Sequence, residues 1–86
     1  MIGLEYICKI TDTQFNEVAE ELNVSKQVIS SWFSRRRNIP QKYLPILSQR
    51  FNQHIKLITK ELTIDDKIEI HKNEIKRLEM IKELGK

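Results

Sequence analysis

Lys26, Gln27, Ser30, Ser31 and Ser34 fall within nine residues at the spacing of one helical face, and each ends in a short or flexible polar group. A helix face built only for solubility favours Glu and Lys pairs, which are better helix formers. Small hydroxyls instead let a backbone sit deep in a groove, where they donate to or accept from base edges and phosphates. Arg35, Arg36, Arg37 and Asn38 follow at once, with Lys42 close behind. Guanidinium forks fit phosphate oxygens, so these residues read as backbone anchors beside that polar face.

The charge distribution agrees with that chemistry. Net charge over the 86 residues is only +3, yet no acidic residue lies between Glu21 and Glu61. That interval carries Lys26, Arg35, Arg36, Arg37, Lys42, Arg50, Lys56 and Lys60. A one-signed patch of this kind concentrates polyanions. From 63 to 86 six basic and six acidic groups cancel, leaving a basic middle and a neutral tail.

Catalytic chemistry finds no parts. The sequence has no Gly-rich phosphate loop and no nucleophile with a base, and Cys8 stands alone, so neither a disulfide framework nor a Cys-based metal site is expected. His54 and His71 are seventeen residues apart, which is no metal-ligand pattern. A non-enzymatic protein without cofactor or metal is expected. Glu5 interrupts the apolar start, and no long hydrophobic run follows, so the expectation is a cytoplasmic chain without signal peptide or membrane span.

The elements that must position these groups are helical. Two Gly and two Pro leave little room for turn-rich β architecture. Leu4, Ile7 and Cys8 mark a first buried face ending near Ile10. Thr11 with Gln14 predicts a capping box, and Ile10 with Phe15 a hydrophobic staple, for a second helix whose inner face is Phe15, Val18, Ala19 and Leu22. Asn23 stands where a left-handed turn residue is wanted, and Ser25 caps a third helix, about 26 to 34, with Ile29, Trp32 and Phe33 inward. Leu44, Leu47 and Phe51 predict a fourth helix, whose prolines lie in its first turn or in a kinked entry; Ile55, Ile58 and Leu62 suggest a fifth. His54 reads as a surface or helix-start residue.

Val18-Ala19-x-x-Leu22-Asn23-Val24-Ser25-x-x-x-Ile29-x-x-Trp32 resembles the helix-turn-helix of the phage Cro and repressor family, over about residues 4 to 62. The resemblance implies an all-α, compact four- to five-helix domain of the lambda-repressor type, with the recognition helix at 26 to 34 in a DNA major groove. In that family the Ala19 position is small so that two helices pack closely, the Asn23 position is usually Gly, and the Leu22, Val24, Ile29 and Trp32 positions lock the pair. It implies base contacts by Ser25, Lys26, Gln27, Ser30, Ser31 and Ser34. It implies phosphate contacts by Thr11, Thr13, Gln14, Arg35, Arg36, Arg37, Asn38 and Lys42. Two departures stand out: Phe15 replaces a frequent polar phosphate ligand, and Phe33 and Arg35 occupy places where the family often has Glu and Gly.

Beyond residue 62 the pattern changes. Thr63 with Asp66 forms another capping-box signature, and no Gly or Pro interrupts the chain up to Leu84, which predicts a helix of roughly 30 Å. Ile64, Ile68, His71, Ile75 and Leu78 alternate spacings of four and three, a heptad seam that Ile81 and Leu84 widen. The chain therefore divides into a DNA-binding domain, 1 to 62, and a long amphipathic C-terminal helix, 63 to 86, that either pairs with a second copy or folds back on its own domain. The expected function is a sequence-specific double-stranded DNA-binding regulator, most simply a repressor, acting as a homodimer on a palindromic operator. An antitoxin whose tail holds a second protein, or a partition or replication-control adaptor, would use the same fold. A helical protein-interaction module with a basic face is the alternative of another class.

Overall fold

The computed structural model describes residues 1–85, which are all-helical apart from loops and one isolated bridge. Its α-helices are α1 (Gly3–Ile10), α2 (Phe15–Leu22), α3 (Lys26–Phe33), α4 (Leu44–Phe51), α5 (Ile55–Thr59) and α6 (Ile64–Leu84). A 3-10 turn, Gln41–Tyr43, leads into α4. Pro40 precedes that turn, and Pro45 sits in the first turn of α4, where a missing amide hydrogen costs little.

The core gathers the apolar face of each of the first five helices: Leu4, Ile7 and Cys8 from α1, Val18, Ala19 and Leu22 from α2, Ile29 and Trp32 from α3, Leu47 and Phe51 from α4, and Ile58 from α5. Cys8 is 1% exposed, and burial pushes its thiol from about 9 up to about 11. An unfolded chain ionises this thiol near its ordinary value while the folded chain keeps it protonated. The contribution of Cys8 to stability is therefore whole below pH 9.0 and is lost as pH rises toward about 11, at up to ~1.4 kcal/mol per pH unit. In chemical denaturation at pH 8 to 11, Cys8→Ala should flatten that alkaline decline; an unchanged slope would assign it to other groups.

Helices α1 to α4 end in the same way. Asp12, Asn23, Arg35 and Asn52 take φ of 54°, 56°, 66° and 52°, and the next residue's N–H reaches back to the carbonyl five positions earlier. These are Schellman terminations built without glycine. Asn and Asp tolerate the left-handed region, whereas a long side chain such as Arg35 is strained there. The expectation for Asn23 is met, with ψ 46°.

Two expectations for the start of α2 fail. Thr11 is the last cap of α1 and not the N-cap of α2: its hydroxyl donates to the Ile7 carbonyl at 2.7 Å, and Gln14 precedes Phe15 without a side-chain cap. Phe15 is 42% exposed and stands edge-on to Phe33, centroids 4.7 Å apart, so it is neither a staple nor part of the inner face. The Schellman turn at Asp12 uses up the residues that a capping box would need.

Helix α6 begins with the predicted reciprocal box: Asp66 N–H donates to Thr63 Oγ1 at 3.2 Å and Thr63 N–H to Asp66 Oδ2 at 2.9 Å. That bond, then one from Lys60, holds the Asp66 carboxyl below its usual range. The helix folds back on its own domain. Ile70 is fully buried, Gln53 Nε2 donates to the Ile70 carbonyl at 3.0 Å, and Asn73 Nδ2 donates to Gln53 Oε1 at 2.9 Å. Tyr6 Oη and His71 Nε2 meet at 2.7 Å. The docked side is thus the stripe through Ile70, Asn73, Glu74 and Arg77, a different side of the helix from the seam of Ile64, Ile68, Ile75 and Leu78, whose members are 49 to 76% exposed.

Candidate nucleic-acid interface

Ser25 sets the register of α3. Its Oγ accepts from Val28 N–H at 3.2 Å, an N-cap that satisfies one orphan donor of the helix. Ile29 and Trp32 are buried, which turns Lys26, Gln27 and Ser30 outward, all three exposed. Ser31 is half-buried and donates its proton to the Val28 carbonyl at 2.6 Å; Ser34 donates to the Ser31 carbonyl at 3.3 Å. In these rotamers Ser31 and Ser34 present lone pairs only, so toward a ligand they accept, while Lys26 donates and Gln27 does both.

The exit from α3 decides where the arginines lie. With Arg35 left-handed, the N–H groups of Arg36 and Arg37 both point back to the Ser31 carbonyl, at 3.0 and 3.2 Å. The chain curls against the helix it has just left. An open groove of about 410 Å³ results, lined by Gln27, Val28, Ser31, Arg36 and Arg37. Arg35 goes elsewhere: its Nη1 lies 3.3 Å from Glu61 Oε2, and with Arg37 and Asn38 it borders a second cleft over Trp32 and Ile39. Hydrogen bonding to the Met1 amine, then the charges of that amine and Arg35, hold the Glu61 carboxyl below its ordinary range.

At the other end, Thr13, Gln14, Phe15 and Asn16 share a cleft with Lys26, so the first turn of α2 adjoins the first residue of α3. Thr11 lies apart from Lys26, in a cleft with Arg50 and Arg77. Lys42 stands 5.0 Å over the Tyr43 ring at the start of the 3-10 turn.

Ion pairing sharpens the basic middle. Arg50 bridges Glu17 and Glu21, Lys60 lies 2.9 Å from Asp66, and Arg35 meets Glu61. Of the eight positive residues between Glu21 and Glu61, Lys26, Arg36, Arg37, Lys42 and Lys56 have no acidic partner within 4.0 Å among the described residues. Two of these five line the groove on α3. Sequence reasoning missed that juxtaposition: the only local signal is the left-handed Arg35, a residue type that gives no hint of such a turn. It also missed Gln53 as the clasp for α6.

Two short helices joined through the left-handed Asn23, the second capped by Ser25 and exposing a polar face, are a helix-turn-helix of the DNA-binding class. A helix-turn-helix family model matches residues 8–58, and the chain belongs to the Cro/C1-type helix-turn-helix family. That membership makes it a DNA-binding protein of the transcription-regulator kind. No curated protein and no solved structure matches the chain. Among the described residues no helix is long and apolar enough to cross a membrane.

Proposed function

We propose that the chain is a sequence-specific transcriptional repressor that binds a palindromic operator as a homodimer, with α3 in the major groove. The observation that carries this reading is the groove in which Gln27 and Ser31, able to address base edges, face Arg36 and Arg37, which have no acidic partner among the described residues. Lys26 and Ser30 extend the base-facing set, with Ser25 and Ser34 at its two ends. Thr13, Gln14, Arg37, Asn38 and Lys42 surround it as phosphate contacts. Arg35 joins them by exchanging Glu61 for phosphate, a cheap exchange because exposed ion pairs contribute little.

Selection of bound duplexes from a random pool tests the reading. The expected result is an inverted repeat whose half-sites lie about one helical turn apart, retained against excess nonspecific DNA. Recovery of unrelated sequences with equal affinity would reject sequence specificity and leave a general DNA binder. A direct half-site without symmetry would reject the homodimer.

A further inference from the structure

Helix α6 is held to its domain along one side and bare along another. Ile64, Ile68, Ile75 and Leu78 are 76, 49, 56 and 51% exposed, a stripe of two apolar pairs on either side of His71, whose Nε2 meets Tyr6 Oη of the same chain, and exposed apolar groups of this kind mark an interaction surface. Their spacing, completed by His71, is that of alternate core positions in a paired helix. Asp65, Lys72 and Glu79, all exposed, flank the stripe on its far side at intervals of seven, and Lys67 and Glu74 flank it on the side nearer the domain.

We infer that this stripe is covered by the α6 of a second copy running antiparallel, with Ile64 of one chain opposite Ile75 of the other and Asp65 opposite Lys72. The inference rests on the homodimer proposed above and adds its orientation. In a parallel pair, flanking positions meet five residues apart, which sets Lys67 against Lys72 and, with less weight because Glu74 already holds Arg77, Glu74 against Glu79. The antiparallel register places Ile68 against His71 and repeats each contact by symmetry, giving two Asp65–Lys72 pairs. Lys67 then also faces Glu74, a minor gain because Glu74 already holds Arg77. Sliding one helix so that Ile68 meets Leu78 sets Asp65 against Glu79 and Lys72 against its own counterpart. Sliding further, so that Ile75 meets Leu78, brings Lys82 into the stripe and leaves Ile64 and Ile68 bare.

The fold favours the same orientation. Stripe and docked side lie roughly a third of a turn apart around the helix. The two-fold axis of an antiparallel pair stands across the helices and keeps both domains on one side of them. The axis of a parallel pair runs along the helices and sends the domains to opposite sides.

Cysteine pairing in the full chain separates the arrangements, since the one native thiol, Cys8, is buried. Ile64→Cys mixed with Ile75→Cys should form a disulfide-linked dimer, while Ile68→Cys alone should not. In a second measurement, Lys72→Glu should raise the dimer dissociation constant about tenfold, and adding Asp65→Lys in the same chain should restore it, helicity being unchanged throughout. Efficient cross-linking of Ile68→Cys to itself would overturn the antiparallel orientation and leave the homodimer standing. A monomer at all concentrations by sedimentation would overturn both.

Discussion

Gly3→Ala is expected to lower the melting temperature by more than about 12 °C, corresponding to about 3 kcal/mol or more in a domain of this size. Helix propensity alone predicts the opposite, a gain of up to about 1 kcal/mol for replacing a glycine in a helix. The difference lies in how α1 meets α5. A Cβ on Gly3 would stand 1.4 Å from the Leu57 carbonyl oxygen, 2.5 Å from its carbon and 3.1 Å from Ile58 Cα. These are backbone atoms, so no rotamer relieves the overlap. The Gly3 N–H bond to the Lys60 carbonyl, 3.0 Å, would have to break, and Ile2, Leu4 and Ile58 would lose their packing together. Total stability for a chain of this length is on the order of 5 to 10 kcal/mol, so the loss removes a large share. Thermal or urea unfolding followed by circular dichroism reads it; a melting point within a few degrees of the parent would show that the helices can separate freely.

Gln27→Ala and the pair Arg36→Ala, Arg37→Ala are expected to weaken DNA binding in two distinguishable ways. Gln27 is exposed on α3 and its side chain makes no hydrogen bond among the described residues, so its removal leaves the helix intact. Loss of a paired hydrogen bond to a base costs about 1 to 3 kcal/mol, roughly 5- to 150-fold on the selected duplex, with affinity for other duplexes and the salt dependence unchanged. As phosphate contacts, the two arginines would act through released counterions. Their removal should lower affinity for every duplex alike and reduce the slope of log K against log salt by about two units. Titrations of cognate and scrambled duplexes at several salt concentrations provide both readouts. If Gln27→Ala weakened both duplexes equally, its role as a base reader would be lost.

How much of this was legible from the residues depends on how local the cause was. The apolar spacing of Leu4, Ile7 and Cys8, the Asn23 turn, the Ser25 cap and the Thr63–Asp66 box all act within a few residues, and the structure has them. The capping box at Thr11 was equally local in pattern but lost to a competing one, because Asp12 closes α1 with a left-handed turn. The groove between α3 and the arginines hangs on the backbone of Arg35, where propensity argues against the conformation adopted. The tail folds back on its own domain, one of the two alternatives its sequence offers. Heptad spacing identified the exposed stripe, but the docked side depends on Gln53, a polar residue whose partners on α6 lie seventeen and twenty positions away.

The meeting of α1 with the chain near residue 60 also orders events in time. Ile2 bridges Glu61, and Leu62 N–H bonds the Met1 carbonyl, so the first helix gains these bonds only after nearly the whole domain has been made. At about 5 to 20 residues per second of synthesis, that is a wait of about 3 to 12 s. Helices α2 and α3, separated by a short turn, have no such delay. A nascent chain stalled before Leu57 therefore has α1 without α5, and without its bonds to Lys60, Glu61 and Leu62.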